Sequence, residues 1–191
     1  MQKDTLSSAI DSLRTGGVGV MPTDTVYGIV AAAGNEQAAR RLYDLKQRKH
    51  KPGTIIAADI DQLVTLGIKR RYLSAVSQYW PNAISIVLPC DTPYLHAGVQ
   101  TIAVRIPGDT ALRELLQQTG PLLTSSANQP GQSPATTAAE AYAYFGDTVD
   151  FYVEGELRAA RQASTIIRVI DDTVEVLREG AVSINKKGEI V

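Results

Sequence analysis

The sequence predicts an α/β fold in which one mixed parallel and antiparallel sheet is flanked by helices. Three observations carry that reading. Strand-like apolar runs alternate with segments of helical period along the chain. The last two strand-like runs, Thr165 to Ile170 and Val174 to Leu177, are separated only by an Asp171-Asp172 turn, which suggests a hairpin, and the other connectors are short, so an all-parallel sheet is disfavoured. The 191 residues contain no repeat, low-complexity stretch or long linker, which fits a single domain over 1–191 that buries roughly 70% of its unfolded surface.

The elements follow in order. Asp4 is positioned to cap a helix whose apolar face is Leu6, Ala9, Ile10 and Leu13, and Gly16-Gly17 ends it. Val18 to Met21 reads as a buried strand stopped by Pro22, and Val26 to Ala33 is a second apolar run. Asn35 caps a helix through about Leu45, with Ala38, Ala39, Leu42 and Leu45 inward. Thr54 to Ala58 is a strand, Asp59 to Leu66 a short helix, Tyr72 to Trp80 an amphipathic helix ended by Pro81, and Ile84 to Leu88 a strand. Ile102 to Ile106 is another strand, and Asp109 caps a helix over Thr110 to Thr119 that stops at Gly120. Leu122 to Thr124 is a short strand running into Ser125-Ser126-Ala127-Asn128. Thr137 and Glu140 have the spacing of a capping box for a helix through Phe145, and Phe151 to Val153 precedes the terminal hairpin as a strand.

Composition removes whole classes of function. With 44% hydrophobic and 20% charged residues and no apolar run of about 18 residues, the chain is neither disordered, collagenous nor membrane-spanning. Its start lacks the plan of a signal peptide, so a cytoplasmic location is expected. One cysteine, Cys90, forms no internal disulfide and reads as packing, and His50 and His96 are too few and too far apart for a zinc cluster. The formal charge of −1 argues against coating long nucleic acids, but the average hides a cluster. Arg40, Arg41, Lys46, Arg48, Lys49 and Lys51 hold six of the nineteen bases in one short stretch, at the end of the second helix where cations suit its dipole. The stretch from Glu140 to Glu189 leans the other way, with ten acids against six bases.

No P-loop, dinucleotide fingerprint or nucleophile elbow is present, so a covalent nucleophile is not expected. Four polar segments instead interrupt apolar strand ends, where open α/β sheets bind ligands. Pro22-Thr-Asp-Thr-Val-Tyr-Gly28 offers hydroxyls and a ring, or is a plain turn. In an extended Leu45-Lys-Gln-Arg-Lys49, Lys46 and Arg48 project from one side and together neutralise a polyphosphate, or they belong to a solvated basic face. Arg105 lies inside the strand that ends in Ile106-Pro107. It either reaches solvent at the edge or pairs with an anion, whether a ligand carboxylate or a structural acid. Ser126 and Asn128 share a side and offer donors to phosphate or sugar oxygens, or form a cap or Asx turn.

Taken together, Pro22-Thr-Asp-Thr-Val-Tyr-Gly28, Lys46-x-Arg48, Ala103-Val-Arg-Ile-Pro107, Ser126-Ala-Asn128, Ser164-Thr-Ile166 and Leu177-Arg-Glu-Gly180 resemble the YrdC/Sua5 family of threonylcarbamoyl-adenylate synthases in order and spacing. The resemblance covers nearly the whole chain. It implies a twisted sheet with a concave basic cleft, and formation of threonylcarbamoyl-adenylate and pyrophosphate from L-threonine, bicarbonate and ATP. It further implies Mg²⁺ carried with ATP, no tightly bound organic cofactor, and a product that serves the N6-threonylcarbamoyl modification of adenosine 37 in tRNA through downstream transferase components. Lys46, Arg48, Thr101, Ser126, Asn128, Ser133 and Arg178 fall at the family's nucleotide positions, with Lys46 and Arg48 stabilising charge, while Thr23, Arg105, Thr124 and Ser164 fall where members bind threonine. This sequence departs from the family at Lys49, where many members have proline, and in a shorter following loop that ends Thr54-Ile55-Ile56 without a threonine-contacting histidine. It also has Pro81-Asn-Ala-Ile-Ser85 for Pro-Gly-Pro-x-Thr and Pro130-Gly131 for Ser-Gly, and the resemblance leads to the expectation of the short type without an appended domain. Two other readings stand beside this one. The first is an RNA-binding or ribosome-maturation module using the same cleft, supported by Lys69-Arg70-Arg71 but not by aromatic content; the second is a relative with a different amino acid or acceptor.

Overall fold

A computed structural model describes residues 4–48, 50–155, 162–171 and 173–191. The start at residues 1–3, Lys49 of the basic cluster and Asp172 of the terminal turn lie outside the described residues. The strands are β1 (Val18–Pro22), β2 (Tyr27–Ala32), β3 (Thr54–Ile56), β4 (Ile84–Pro89), β5 (Thr101–Arg105), β6 (Leu122–Ser126), β7 (Phe151–Tyr152), β8 (Thr165–Ile170) and β9 (Thr173–Arg178). They form one sheet in the order β7-β1-β2-β6-β3-β5-β4-β8-β9. Parallel pairs (β1/β7, β3/β5, β4/β8) are interspersed among antiparallel ones (β1/β2, β2/β6, β3/β6, β4/β5, β8/β9), so the expected mixed sheet is present.

The helices are α1 (Leu6–Arg14), α2 (Glu36–Leu45), α3 (Ile60–Thr65), α4 (Arg70–Ala75), α5 (Pro93–His96), α6 (Thr110–Thr119) and α7 (Ala138–Phe145). Strand period splits the core into two layers. Ile29, Ala31, Ile55, Val104 and Leu123 join Ala39 and Leu42 of α2 and Ala141 and Phe145 of α7 on one face. Met21, Val30, Ile56 and Leu122 join Leu13 of α1 and Leu115 and Leu116 of α6 on the other. Alternate positions on that second face then change character. Thr124, Thr54 and Ala103 lie side by side across β6, β3 and β5, with Gly28 paired to Ser126 next to them. Small and hydroxylic side chains therefore continue a face that begins apolar, and this leaves a hollow.

Several local expectations change. Asp4 does not cap α1: Thr5 does, its Oγ1 accepting from the Ser8 amide at 3.1 Å, while the Asp4 carboxylate accepts from the Tyr152 amide at 3.0 Å and ties the chain start to β7. The span Tyr72 to Trp80 is not one helix, because Val76 leaves helical geometry at φ −121° and only a single 3₁₀ turn, Ser77–Tyr79, follows α4. At α7 the Thr137 hydroxyl accepts from the Glu140 amide as expected, but the Glu140 carboxylate reaches the amide and hydroxyl of Thr136 rather than the cap itself. Four-residue α5 is too short to register as a period. Cys90 is free and buried, in line with a packing role.

Candidate functional site

The hollow is a cleft of about 260 Å³ whose walls include Thr23, Thr25, Arg48, Thr54, Arg105, Thr124, Ser125, Ser126, Ser164 and Arg178. Two glycines let its walls approach. A side chain at Gly28 would place Cβ 2.5 Å from the Thr124 hydroxyl, and one at Gly53 would come within 2.7 Å of the Thr124 carbonyl oxygen. Alanine at Gly28 forces the Thr124 side chain to shift, and alanine at Gly53 forces the β6 backbone itself to give.

Arg105 ends β5 and is 3% exposed. Its Nη2 donates to Asp24 Oδ1 at 2.8 Å and its Nη1 to Ser85 Oγ at 3.1 Å. Of the readings that the sequence leaves open, the structural acid is therefore realised, yet it does not saturate the fork. Arg105 Nε, Asp24 Oδ2 and Ser125 Oγ are buried with no hydrogen-bond partner among the described residues. Each such atom costs about 1–3 kcal/mol, and two of the three belong to cleft-wall residues, Arg105 and Ser125. Ser85 Oγ lies 2.8 Å from Ser164 Oγ, and Arg178 Nη2 donates to the Ser164 carbonyl at 2.6 Å. A hydrogen-bonded relay thus runs Arg105–Ser85–Ser164–Arg178 through three strands and the segment before β8.

Arg48 enters from the other side, with Nη1 held by the Pro52 carbonyl at 2.9 Å. Burial lowers the pKa of its guanidinium. The stem of Arg178 is exposed, but its tip is crowded; burial, then Arg105 and Arg48, lower its pKa too. Arg48, Arg105 and Arg178 thus line one concave surface, and the depressed Arg178 guanidinium marks it as short of negative charge.

The basic stretch is not the extended polyphosphate clamp that its spacing suggests. Lys46 closes α2 in helical geometry and Gln47 turns back at φ 49°, so Lys46 and Arg48 do not project side by side. Lys46 is 5% exposed and its Nζ donates to the carbonyls of Ser126 (2.9 Å) and Asn128 and to Asn128 Oδ1 (2.9 Å). Burial first, and Arg48 second, bring its pKa down to about 8. Nor do cations populate the last turn of α2: Arg40 and Arg41 pair instead with Glu36 and Asp150 at 2.6 and 2.5 Å. Lys69 and Arg70 are likewise paired with Asp91 and Asp61, and Arg71 lies over the Tyr72 ring.

Of the other expected positions, Thr23, Thr124, Ser164 and Ser126 line the cleft. Asn128 sits behind Ser126, whose Oγ donates to Asn128 Oδ1 at 2.7 Å. Thr101 shares the face of Ala103 and Arg105 but begins β5, about 13 Å along the strand from Arg105. Ser133 is exposed, its carbonyl accepting from Tyr144, and its neighbour Pro134 reaches the cleft instead. Sequence reasoning missed Asp24, Thr25, Ser85 and Ser125. The first two lie within Pro22 to Gly28, and Ser85 closes the segment that departs from the family pattern, so position within a motif was the available signal. Among the described residues no group of three or more His, Cys, Asp or Glu is arranged to hold a metal ion, and no helix is long and apolar enough to cross a membrane.

Comparison with known proteins places this geometry. The Sua5/YciO/YrdC family model, described as "Telomere recombination", matches residues 11–180. Threonylcarbamoyl-AMP synthase of Idiomarina loihiensis is 34% identical over 180 residues, covering 90% of this chain and 96% of the relative. The structure of P. abyssi Sua5 complexed with L-threonine superposes with a TM-score of 0.82 at 27% identity over 94% of this chain, which spans 55% of that longer protein. E. coli YciO shares the fold, with a TM-score of 0.76 at 24% identity over 92% of this chain and 88% of its own.

Proposed function

The chain belongs to the Sua5/YciO/YrdC family, and from that premise we propose that it is a threonylcarbamoyl-AMP synthase, a nucleotidyltransferase that uses L-threonine, bicarbonate and ATP. The observation that carries the reading is the cleft itself, with Arg48, Arg105 and Arg178 brought from distant parts of the chain to one hydroxyl-lined hollow.

The chemistry suits those residues. Threonine's amine and bicarbonate condense to a carbamate with loss of water; a carbamate oxygen then attacks the α-phosphorus, and the bond to the β-phosphate oxygen breaks to release pyrophosphate. Such a reaction depends on positioning and on neutralising charge rather than on a protein nucleophile. Arg105, with Thr23, Thr124 and Ser164 around it, takes the threonine carboxylate. Arg48, Arg178 and Ser126 face the phosphates, Lys46 and Asn128 shape the turn behind them, and Thr101 and Ser133 lie toward the remainder of the nucleotide. Mg²⁺ enters with ATP. Asp24, between the wall residues Thr23 and Thr25, is paired with Arg105, which fits a metal held mainly by phosphate oxygens. The product would serve N6-threonylcarbamoyl transfer to adenosine 37 of tRNA through separate transferase components in the cytoplasm.

The test is incubation with ATP, Mg²⁺ and bicarbonate and each of several amino acids, with mass detection of the acyl-adenylate. A threonine adduct with matching pyrophosphate release is expected; no adduct with any amino acid would sink the reading. An adduct with another amino acid alone would move the specificity but keep the reaction. No observation favours the RNA-module alternative, since Lys69 and Arg70 are neutralised locally.

A further inference from the structure

We propose that Lys46 is a positioning residue that fastens the Ser126–Asn128 turn from beneath and does not itself contact the nucleotide. The inference deepens the synthase reading and rests on it only for the identity of the ligand. An ammonium has three donors and no acceptor. All three are used within the protein, on the Ser126 carbonyl, the Asn128 carbonyl and Asn128 Oδ1. Nζ is thereby enclosed, and Lys46 is absent from the residues that form the cleft wall although Arg48, two positions on, belongs to it.

The turn depends on this contact. Asn128 Oδ1 receives Lys46 Nζ and the Ser126 hydroxyl together, and Asn128 Nδ2 donates to the Gln132 carbonyl at 2.6 Å. The ammonium therefore closes a network that spans the end of α2, the end of β6 and the segment through Gln132. Without it, two backbone carbonyls and one amide oxygen lose a charged donor at once, and the loop that carries Ser126 into the cleft keeps uncharged bonds such as Ala127 amide to Tyr27 carbonyl, Ala135 amide to Ala127 carbonyl and the Ser126–Asn128–Gln132 side-chain links. Arginine does not replace lysine here, because a planar fork cannot converge on three acceptors arranged around one nitrogen.

Hydrogen exchange of the ligand-free protein tests the proposal without reference to catalysis. In Lys46→Met, amides of residues 126–135 are expected to exchange about tenfold faster or more, with β1 and β2 unchanged. Lys46→Arg is expected to behave like Lys46→Met, and Arg48→Met like the unaltered protein in this segment. Unchanged protection in Lys46→Met would overturn the proposal, as would full rescue by arginine. Because the methionine variant risks global unfolding, the native chain supplies a second readout: acylation of the Lys46 amine, followed by peptide mass mapping with and without saturating Mg-ATP. Slow labelling in both conditions is expected; a strong dependence on ATP would identify Lys46 as a phosphate contact and overturn the assignment. If ATP does not bind at all, the synthase reading fails, while the exchange result still decides the role of Lys46.

Discussion

Two sets of cations divide this molecule. Arg40 to Lys51 is dense in the sequence and, among its described residues, dispersed in space: Arg40 lies on Glu36, Arg41 on Asp150, Lys46 points inward beneath a turn, and Arg48 enters the cleft. Arg48, Arg105 and Arg178 are far apart in sequence and converge on a single hollow. Linear charge density thus mostly describes a solvated, locally neutralised surface, whereas the field that an anionic substrate meets is assembled by strand order.

The largest expected effect that separates the two sets comes from Arg105→Ala. It strands Asp24 in a buried setting, so chemical denaturation is expected to show a loss of about 3–5 kcal/mol, and the threonine KM is expected to rise far more than the ATP KM. Equal changes in both constants would count against the carboxylate assignment. Arg178→Ala comes next. Its stem is exposed, so stability should change little, while loss of a charge-assisted donor costs about 1.5–3 kcal/mol of transition-state binding, read as a ten- to hundredfold fall in kcat/KM for pyrophosphate release.

A smaller effect follows from pH. Lys46 has a pKa of about 8 in the fold against an ordinary 10.5, so the turn carries its full ammonium below that value and loses it as pH rises through about 8. An activity limb falling above about 8 is expected, checked by pH profiles of kcat/KM. Global stability responds with the opposite sign: between about 8 and 10.5 the unfolded chain holds the extra proton, so this group makes unfolding less favourable as pH rises. A limb that is unmoved in Lys46→Met would break the link. The smallest effect is expected for Arg40→Gln, whose partner is an exposed i, i+4 acid; stability should change by less than about 0.5 kcal/mol and activity not at all. A large loss of activity there would restore function to the linear cluster.

Much of the fold was legible in the chain because its signals are local. Asn35 and Asp109 each cap the helix that their position suggests, and the apolar runs of β1, β2, β4 and β8 lie where they were expected. Failures occurred where a distant partner decided the outcome. Asp4 looks like a cap but is claimed by Tyr152, and Val76 interrupts a periodic stretch to bury its side chain. In the site, motif membership pointed to Arg48, Arg105, Ser126, Ser164 and Arg178, but nothing local distinguishes Asp24 from its threonine neighbours or marks Ser85 as the link between Arg105 and Ser164.

By itself the sequence determined the element types, the mixed sheet and the family pattern, since period, caps and ordered motifs are carried by neighbouring residues. Only the tertiary structure decided that the buried arginine meets an acid of its own chain, that the lysine of the Lys-x-Arg pair faces inward while its arginine faces the cleft, and that three distant guanidinia share one hollow. Those outcomes depend on the order of strands in the sheet and on the reversed backbone at Gln47, which no local pattern encodes.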